Sequence, residues 1–443
     1  MGYICSIILL FFFFMAKTLK RKNKGHLALD KVFLLYWLLI TFLGCFHLYG
    51  LYEITNIVYF LVVIGCFSFF CGYHLANQNH AAQIRRGKKV LNLKNEIGYL
   101  RFKPVFYVIL AIALFIIFRQ VMLLLPVILA RGMADARGDM QVDDSLVLSG
   151  GLDILLAYFA KPFVKASIIV LIVNSISTKF SLKRILVVLF SLGVYFFSEG
   201  GRAVIMDVFF TLVFCLYINR KKISSKLKSK FKKVIIVIAI LPVLATLERG
   251  SDTLFSIYTY YCGSLQYLSQ SLQFKALEFN EHLWGLASFQ GFIKPIFGIL
   301  QILGFPKPEE LQKASDFILT AQTTVYEIAP NCPMNYFFTS FGYAYKDGGV
   351  IGVILIHFIF GVMANYVDFK ERINNAFVRW MSIKAVFFYS ILFSMSYFPF
   401  GMYIHAMTII YIYIITSNYL SKNIDGKKKH RWQSRLKLIL YSI

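Results

Sequence analysis

Two lysines stand four residues apart in LDILLAYFAKPFVKASIIVL, an otherwise apolar run: Lys161 and Lys165. Four residues is close to one helical turn, so both ammonium groups share a face. By helical rise they fall about a third and about half of the way through a bilayer. Cations at that depth are costly, and they need a water-filled cavity, an anionic ligand or a carboxylate partner. Asp153 and Asp207 are the acids available for such pairing. A third cation, Arg202, stands in the turn of FFSEGGRAVIMDVFF, with Glu199 just before it and Asp207 about a turn and a half beyond. Glycine lets the backbone come close, and a helix start leaves N–H groups free. A guanidinium beside those donors suits a phosphate or diphosphate. The plainer reading is an interfacial arginine held by Glu199 or Asp207.

Further cations recur nearby in the chain. Arg249 lies between Glu248 and Asp252, and Arg131 and Arg137 punctuate ARGMADARGDM. Each alone is an ordinary loop arginine. Together they make a basic constellation on a side where acids otherwise collect. Glu248, Glu199 and His282, which follows Glu281, are the candidate general bases. His357 and His405 lie in apolar runs and read as buried, hydrogen-bonded histidines. The segment NYFFTSFGYAYKDGGVIGVILIHFIFGV places Asp347 at a helix start, where an acid is favoured. Its Tyr336, Tyr343 and Tyr345 suit an aromatic belt or stacking on sugar faces. The chain carries no phosphate-binding loop, dinucleotide fingerprint, metalloprotease helix or nucleophile elbow. The spacing of Cys66 and Cys71 has no matching pair, so no metal site is expected. Cys262 and Cys332 are the two thiols expected in an external loop, where a disulfide is open to them.

A membrane must position these groups. The chain has 443 residues, 58% of them hydrophobic, with a mean hydropathy of +0.64. The apolar residues come in long uncharged blocks, each near the roughly 20 residues a helix needs to cross hydrocarbon. Lipid leaves no partner for open backbone, so the blocks predict an all-α, polytopic helix bundle and not a barrel. The spans expected are an N-terminal one in GYICSIILLFFFFMA and others near 32–50, 54–75, 104–125, 152–174, 185–198, 203–219, 234–247, 348–366, 383–398 and 402–420. That is about eleven (10–14) in a single membrane domain, 1–443.

The net charge of +25 is patterned. Basic residues cluster in every second connection: Lys17 to Lys31, Arg85 to Lys103, Lys179 to Arg184, Arg220 to Lys233, Lys370 to Lys384 and Lys422 to Lys437. Alternation of this kind assigns those connections and the basic tail 421–443 to the cytoplasm, and it argues against nucleic acid as a partner. Two external segments remain, 126–151 and 247–347. The second is long enough to be functional. Its aromatic stretches TLFSIYTYYCGSLQYLSQSL and LWGLASFQGFIKPIFGILQILG suit interfacial or re-entrant helices.

A basic many-spanning chain, a GGR turn between two spans, an arginine opening a large external loop and a late segment with Asn335, Thr339, Tyr345, Asp347, Gly349 and Gly352 together resemble the Wzy-type oligosaccharide repeat-unit polymerases of surface polysaccharide synthesis. The O-antigen ligases share that architecture. The resemblance implies a GT-C-like bundle in the bacterial cytoplasmic membrane. It also implies a glycosyltransferase that uses an undecaprenyl-diphosphate-linked oligosaccharide, with no nucleotide sugar, metal or other cofactor. Arg202, Arg249, Glu248, Glu199 and His282 would then be catalytic. Arg131, Arg137, Lys161, Lys165, Asp207, Asn335, Tyr345 and Asp347 would bind substrate. Membrane lipid, a chain-length regulator and a flippase are the partners implied. A ligase, or a non-enzymatic transporter of lipid-linked glycan, is the alternative.

Overall fold

The computed structural model describes residues 1–19, 27–85, 103–132, 136, 146, 148, 150–177, 181–199, 203–218, 253–273, 281–335, 337–373 and 377–417. Within them the chain runs α1 (Gly2–Leu19), α2 (Leu29–Gly44), α3 (Asn56–Arg85) and α4 (Lys103–Arg131). Next comes α5, built from Gly151–Leu155, a π turn at Leu156–Ala160 and Lys161–Ser177, and then α6 (Leu182–Glu199) and α7 (Ala203–Ile218). After these come α8 (Thr253–Gln273), α9 (Leu286–Ile302), α10 (Glu309–Thr323), a two-stranded hairpin of β1 (Tyr326–Ala329) and β2 (Cys332–Met334), α11 (Thr339–Ile373), α12 (Phe377–Leu392) and α13 (Tyr403–Ile415). The expected span at 234–247 and the tail 421–443 lie outside the described residues. Helix α4 continues through Pro126 to Arg131, past the point where the first external segment was expected to start.

The outer surface is apolar, unlike that of a water-soluble bundle. On α4 the outward stripe is Val108, Ile112, Phe115, Phe118 and Met122, spaced three or four residues apart, each about half exposed. Meanwhile Gln120, Lys165, Asn174, Asp207, Asn365, Asp368 and Lys384 are buried. Greasy outside and polar inside is the arrangement lipid requires. Five helical stretches among the described residues are long and apolar enough to cross a membrane: Gly2–Leu19, Asn56–Ala76, Pro104–Arg131, Gly151–Ile176 and Thr339–Arg372. The chain is a multi-pass helical membrane protein.

The last of those stretches is not one rod. Gly348 and Gly349 leave helical geometry, and Gly349 has φ 60° and ψ −145°, a conformation that glycine adopts without strain. Ser340 meets His357 (3.3 Å), and the Gly352 backbone lies against the Ala344 carbonyl. Residues 339–347 therefore run antiparallel to 350–357, and α11 is a helical hairpin. The Ser340 N–H donates to the Ser394 carbonyl (2.7 Å) in the buried turn between α12 and α13. Trp37, midway along α2, packs edge-on against Phe341, with centroids 4.6 Å apart. The short arm thus reaches the middle of the bundle before returning. His357 stacks on Phe341 (4.6 Å). Its Nδ1–H donates to the Val353 carbonyl (3.0 Å), which leaves Nε2 to accept from the Ser340 hydroxyl. Tyr343 is completely buried between Phe338 and Phe317, which removes it from the aromatic belt and from any stacking role.

The long arm of α11 packs on α3 along small residues. A Cβ on Gly72 would fall on the Phe358 carbonyl, and one on Gly361 would fall on the Phe69 carbonyl. Close backbone approach through glycine is how helices hold together where lipid removes the hydrophobic drive.

One end of the bundle is covered. Tyr258 of α8 donates its hydroxyl to the Leu43 carbonyl (2.8 Å). Ser269 of the same helix donates to Thr55 Oγ1 (3.0 Å), and the Tyr52 N–H donates to the Ile328 carbonyl of the hairpin (2.9 Å). So α8 and the β-hairpin both lie across the α2–α3 turn. Helix α10 adds a water-type amphipathic layer, with Glu309 and Glu310 in its first turn and Leu311, Ala314, Phe317, Ile318 and Ala321 buried. Cys262 and Cys332 are free thiols.

The opposite end holds a buried charge network. Asp368 accepts from the Leu29 N–H (3.0 Å) and the Tyr73 hydroxyl (2.5 Å) and pairs with Lys384 (2.9 Å). Lys384 also reaches Glu371 (3.4 Å), and His74 meets Asp30 (3.2 Å). Lys384 was expected among basic connection residues; instead it is 1% exposed inside α12. The network ties α2, α3, α11 and α12 together through charge.

Candidate functional site

The lysines of α5 are paired. Lys161 Nζ lies 2.8 Å from Glu199 Oε1 at the end of α6, and Lys165 Nζ lies 2.5 Å from Asp207 Oδ2 on α7. Both lysines thus meet a carboxylate: Lys165 the expected Asp207, but Lys161 the Glu199 side chain and neither Asp153 nor Asp207. The pairs differ in access: Glu199 is 30% exposed at its side chain and Asp207 11%. Glu199 therefore stands at the mouth of the group and Asp207 at its floor. The connection between them, which carries Arg202, lies outside the described residues, as do Arg137, Glu248 and Arg249.

Local sequence explains how α5 presents these lysines. Pro162 has no N–H, so the Tyr158 carbonyl four residues earlier lacks its helical donor. The Tyr411 hydroxyl of α13 supplies one instead (3.0 Å). The π turn just before Lys161, closed by Lys161 N–H to the Leu156 carbonyl, widens the helix at the same place. Such bulges often accompany functional side chains. Gln120 of α4 clamps the incoming chain, donating to the Leu146 carbonyl (2.7 Å) and accepting from the Leu148 N–H (3.1 Å).

An aromatic shell closes over the deeper pair. The Tyr389 ring lies 4.8 Å from Lys165 Nζ, a cation–π contact in a buried setting. Tyr389 and Tyr397 both pack on the His405 ring, at 5.4 and 5.5 Å, and Tyr397 Oη meets His405 Nε2 at 2.8 Å. A small void is lined by Lys165, Ile168, Ile169, Tyr195, Val204, Asp207 and Val208. Among the described residues, Asp207 Oδ1, Tyr389 Oη and His405 Nδ1 are buried and make no hydrogen bond. Buried polar atoms of this kind are ordinarily satisfied by a protein group or by water.

A second group forms around Asp347. Its carboxylate accepts the Ala287 N–H at Oδ1 (2.8 Å) and the Ser288 N–H at Oδ2 (2.9 Å). It therefore caps α9, a different helix from the one it was expected to start. The Trp284 N–H donates to the Asp347 carbonyl (3.0 Å) and holds that residue at φ 50°. His282 is exposed, with its ring 5.8 Å from Trp284. Helix α9 connects the two groups, because Gly298 seats against the Tyr158 ring and Lys294 and Lys161 both act on Asp153. Arg131 is exposed at the end of α4, Asn335 is exposed after the hairpin, and Tyr345 is partly buried on the short arm of α11.

Sequence reasoning thus found Lys161, Lys165, Glu199 and Asp207, and the fold brings these four together. It passed over Tyr389, Tyr397 and Lys294, and it read His405 as buried and hydrogen-bonded, which it is. The one signal for the tyrosines was their place inside an apolar run, which is ordinary in a chain with 27 tyrosines. Among the described residues no group of His, Cys, Asp and Glu could hold a metal ion. Comparison with protein-family models, with characterised proteins and with solved structures finds no match to this chain.

Proposed function

We propose that this protein is a polymerase of surface polysaccharide in the bacterial cytoplasmic membrane, a GT-C-like bundle of about eleven spans. It moves a growing glycan from undecaprenyl diphosphate onto a lipid-linked oligosaccharide repeat unit. The observation that carries this reading is the two-tier set of lysine–carboxylate bridges, Lys161–Glu199 above Lys165–Asp207, flanking the glycine–arginine turn. The alternation of basic connections orients the covered end outward and the C-terminus inward.

In this reading the donor diphosphate displaces Glu199 from Lys161, and Arg202 and Arg249 join the grip. Cations held in a low-dielectric cleft stabilise the charge that grows on the leaving diphosphate. The freed Glu199 carboxylate takes the acceptor hydroxyl proton. The acceptor oxygen bonds the sugar C1, the C1–O bond to phosphorus breaks, and the diphosphate leaves with the electron pair. His282 and Glu248 are alternative bases. Arg131, Arg137, Asn335, Tyr345 and Asp347 contribute at the glycan side, Asp347 by fixing α9. A ligase would use the same donor chemistry with another acceptor. The half-depth helical hairpin favours, as a second reading, a transporter of lipid-linked glycan, since broken helices are common there.

The test is genetic. Arg202→Ala and Arg249→Ala each abolish long polymer and leave single-repeat glycan on the cell surface. Normal chain lengths in both variants overturn the proposal.

A further inference from the structure

We propose that Lys294 and Lys307, at the joint of α9 and α10, form a second anion site, separate from the Lys161 group, for a phosphate or diphosphate headgroup carried on a lipid. The inference deepens the function proposed above, whose donor and acceptor are both lipid-linked, so that two such headgroups must be held at once.

Helix α9 presents Lys294 by its repeat. Gln290, Lys294 and Gly298 recur every four residues and share one stripe. Buried Gln290 donates its Nε2–H to the Ala314 carbonyl of α10 (3.1 Å), and Gly298 seats against the Tyr158 ring of α5. Lys294 lies one turn from each, on the stripe that packs inward. Lys307 reaches the same joint from the connection between α9 and α10. Every other residue from Gln301 to Glu310 is exposed, and Lys307 is tucked in. Its Nζ donates to Gln312 Oε1 (2.8 Å) and to Ser315 Oγ (2.9 Å), and Ser315 Oγ lies 3.1 Å from Gln290 Oε1. The stripe of α9 and the first turns of α10 thus position the Lys307 ammonium together.

The company these cations keep sets them apart. Lys161, Lys165 and Lys384 each meet a carboxylate. Among the described residues Lys294 and Lys307 form no ion pair: Asp316 acts on both and Asp153 on Lys294, each short of contact. Asp316 accepts from Gln312 Nε2 (2.7 Å) instead, and Glu309 and Glu310 turn to Lys313. Lys307 does act on Lys294, like charge on like. Two ammonium groups held together by neutral acceptors repel. Each has three N–H donors, and Lys307 uses two on neutral oxygens. A phosphate oxygen between them removes the repulsion and accepts charge-assisted bonds, which a neutral ligand does not.

The apolar surface beside the site points to the carrier. Ile296, Ile299 and Leu303 form the opposite stripe of α9, and each is more than half exposed, as is Phe305. In a membrane protein such a ridge lies against hydrocarbon. It ends at Phe305, two residues before Lys307, so a tail lying along it brings its headgroup to the ammonium. Lys161 and Lys294 both act on Asp153, which makes the two anion sites neighbours.

Bound ligands are counted by native mass spectrometry of the full chain in detergent, with farnesyl diphosphate and inorganic pyrophosphate as the probes. The wild type should hold two farnesyl diphosphates, and Lys294→Met with Lys307→Met should hold one. Lys307→Met alone should weaken the second ligand about tenfold, the loss of one charge-assisted contact. Lys307 stands at the edge of the fold, so this variant reads the site even if the double variant does not fold. Pyrophosphate bound at the same site shows that the anion alone supplies the grip, and farnesyl diphosphate only shows that the tail is needed too; both uphold the site. Pyrophosphate without farnesyl diphosphate there overturns it. Two ligands held with undiminished affinity in the Lys294 and Lys307 variants overturn it, as does a single wild-type ligand that only Lys161→Met removes. A single ligand that Lys161→Met leaves in place and Lys307→Met weakens upholds this site and overturns the Lys161 grip alone. Binding of neither probe overturns both.

Discussion

Lys165→Met leaves the Asp207 carboxylate buried without the cation that pairs with it among the described residues. The Lys165 and Asp207 side chains are 7% and 11% exposed, so solvent screens neither charge well. Removing one partner of a buried pair costs about 3–5 kcal/mol, most of it the desolvated charge left behind. Asp207→Asn is expected in the same range. Removing both together replaces an ion pair with neutral groups of similar volume, and such swaps are near neutral. The double variant should therefore sit within about 2 kcal/mol of the wild type, giving a coupling of about 4 kcal/mol or more between the two sites. The same cycle on Lys161 and Glu199 is an internal control. Those side chains are 14% and 30% exposed, so water screens that pair more and its coupling should be the smaller of the two. Stability is read from loss of helical circular dichroism as SDS replaces a mild detergent in mixed micelles. Equal small effects for both pairs, or a Lys165/Asp207 double variant as unstable as the sum of its singles, would refute the reasoning.

Four other outcomes follow from contacts elsewhere. Gly361→Ala pushes a methyl group into the Phe69 backbone; it should destabilise by about 3 kcal/mol, the upper part of the overpacking range, in the same SDS titration. Gly72→Ala added to it should cost much less than it does alone, because both act on one α3–α11 separation. Tyr411→Phe leaves the Tyr158 carbonyl without a donor and should cost about 1–3 kcal/mol. Asp368→Asn weakens the hold on Lys384 and on the α2 start; proteolysis of the oriented protein should then speed up at the network end and not at the covered end.

Helix positions were legible where lipid leaves the backbone no other choice. Residues 29–44, 151–177, 182–199 and 203–218 each follow a predominantly apolar run, and four predicted site residues, all charged, interrupt them. The α11 hairpin was not legible at its full depth. Gly348 and Gly349 mark the turn, but the inward reach of 339–347 depends on Ser340 meeting Ser394 and His357. Contacts at such separation leave no trace in local periodicity. The buried turn 393–402 was hidden for a related reason: its apolar composition reads as the end of one span and the start of the next. The charge network failed in the opposite way. A lysine near a connection is counted as an orientation signal, and nothing local to Lys384 announces Asp368 or Glu371. Asp347 was seen as a helix cap, but its helix was misassigned, since capping of α9 joins residues 59 and 60 positions apart.

The most direct test of the central claim is reconstitution of the purified protein in liposomes with a polyprenyl-diphosphate-linked oligosaccharide. Glycan length and released polyprenyl diphosphate are measured together. The account predicts a ladder of products, one repeat unit per step, with one diphosphate freed per step, and loss of both signals in Lys161→Met. Substrate that crosses the bilayer unchanged in length, with no diphosphate released, would contradict it.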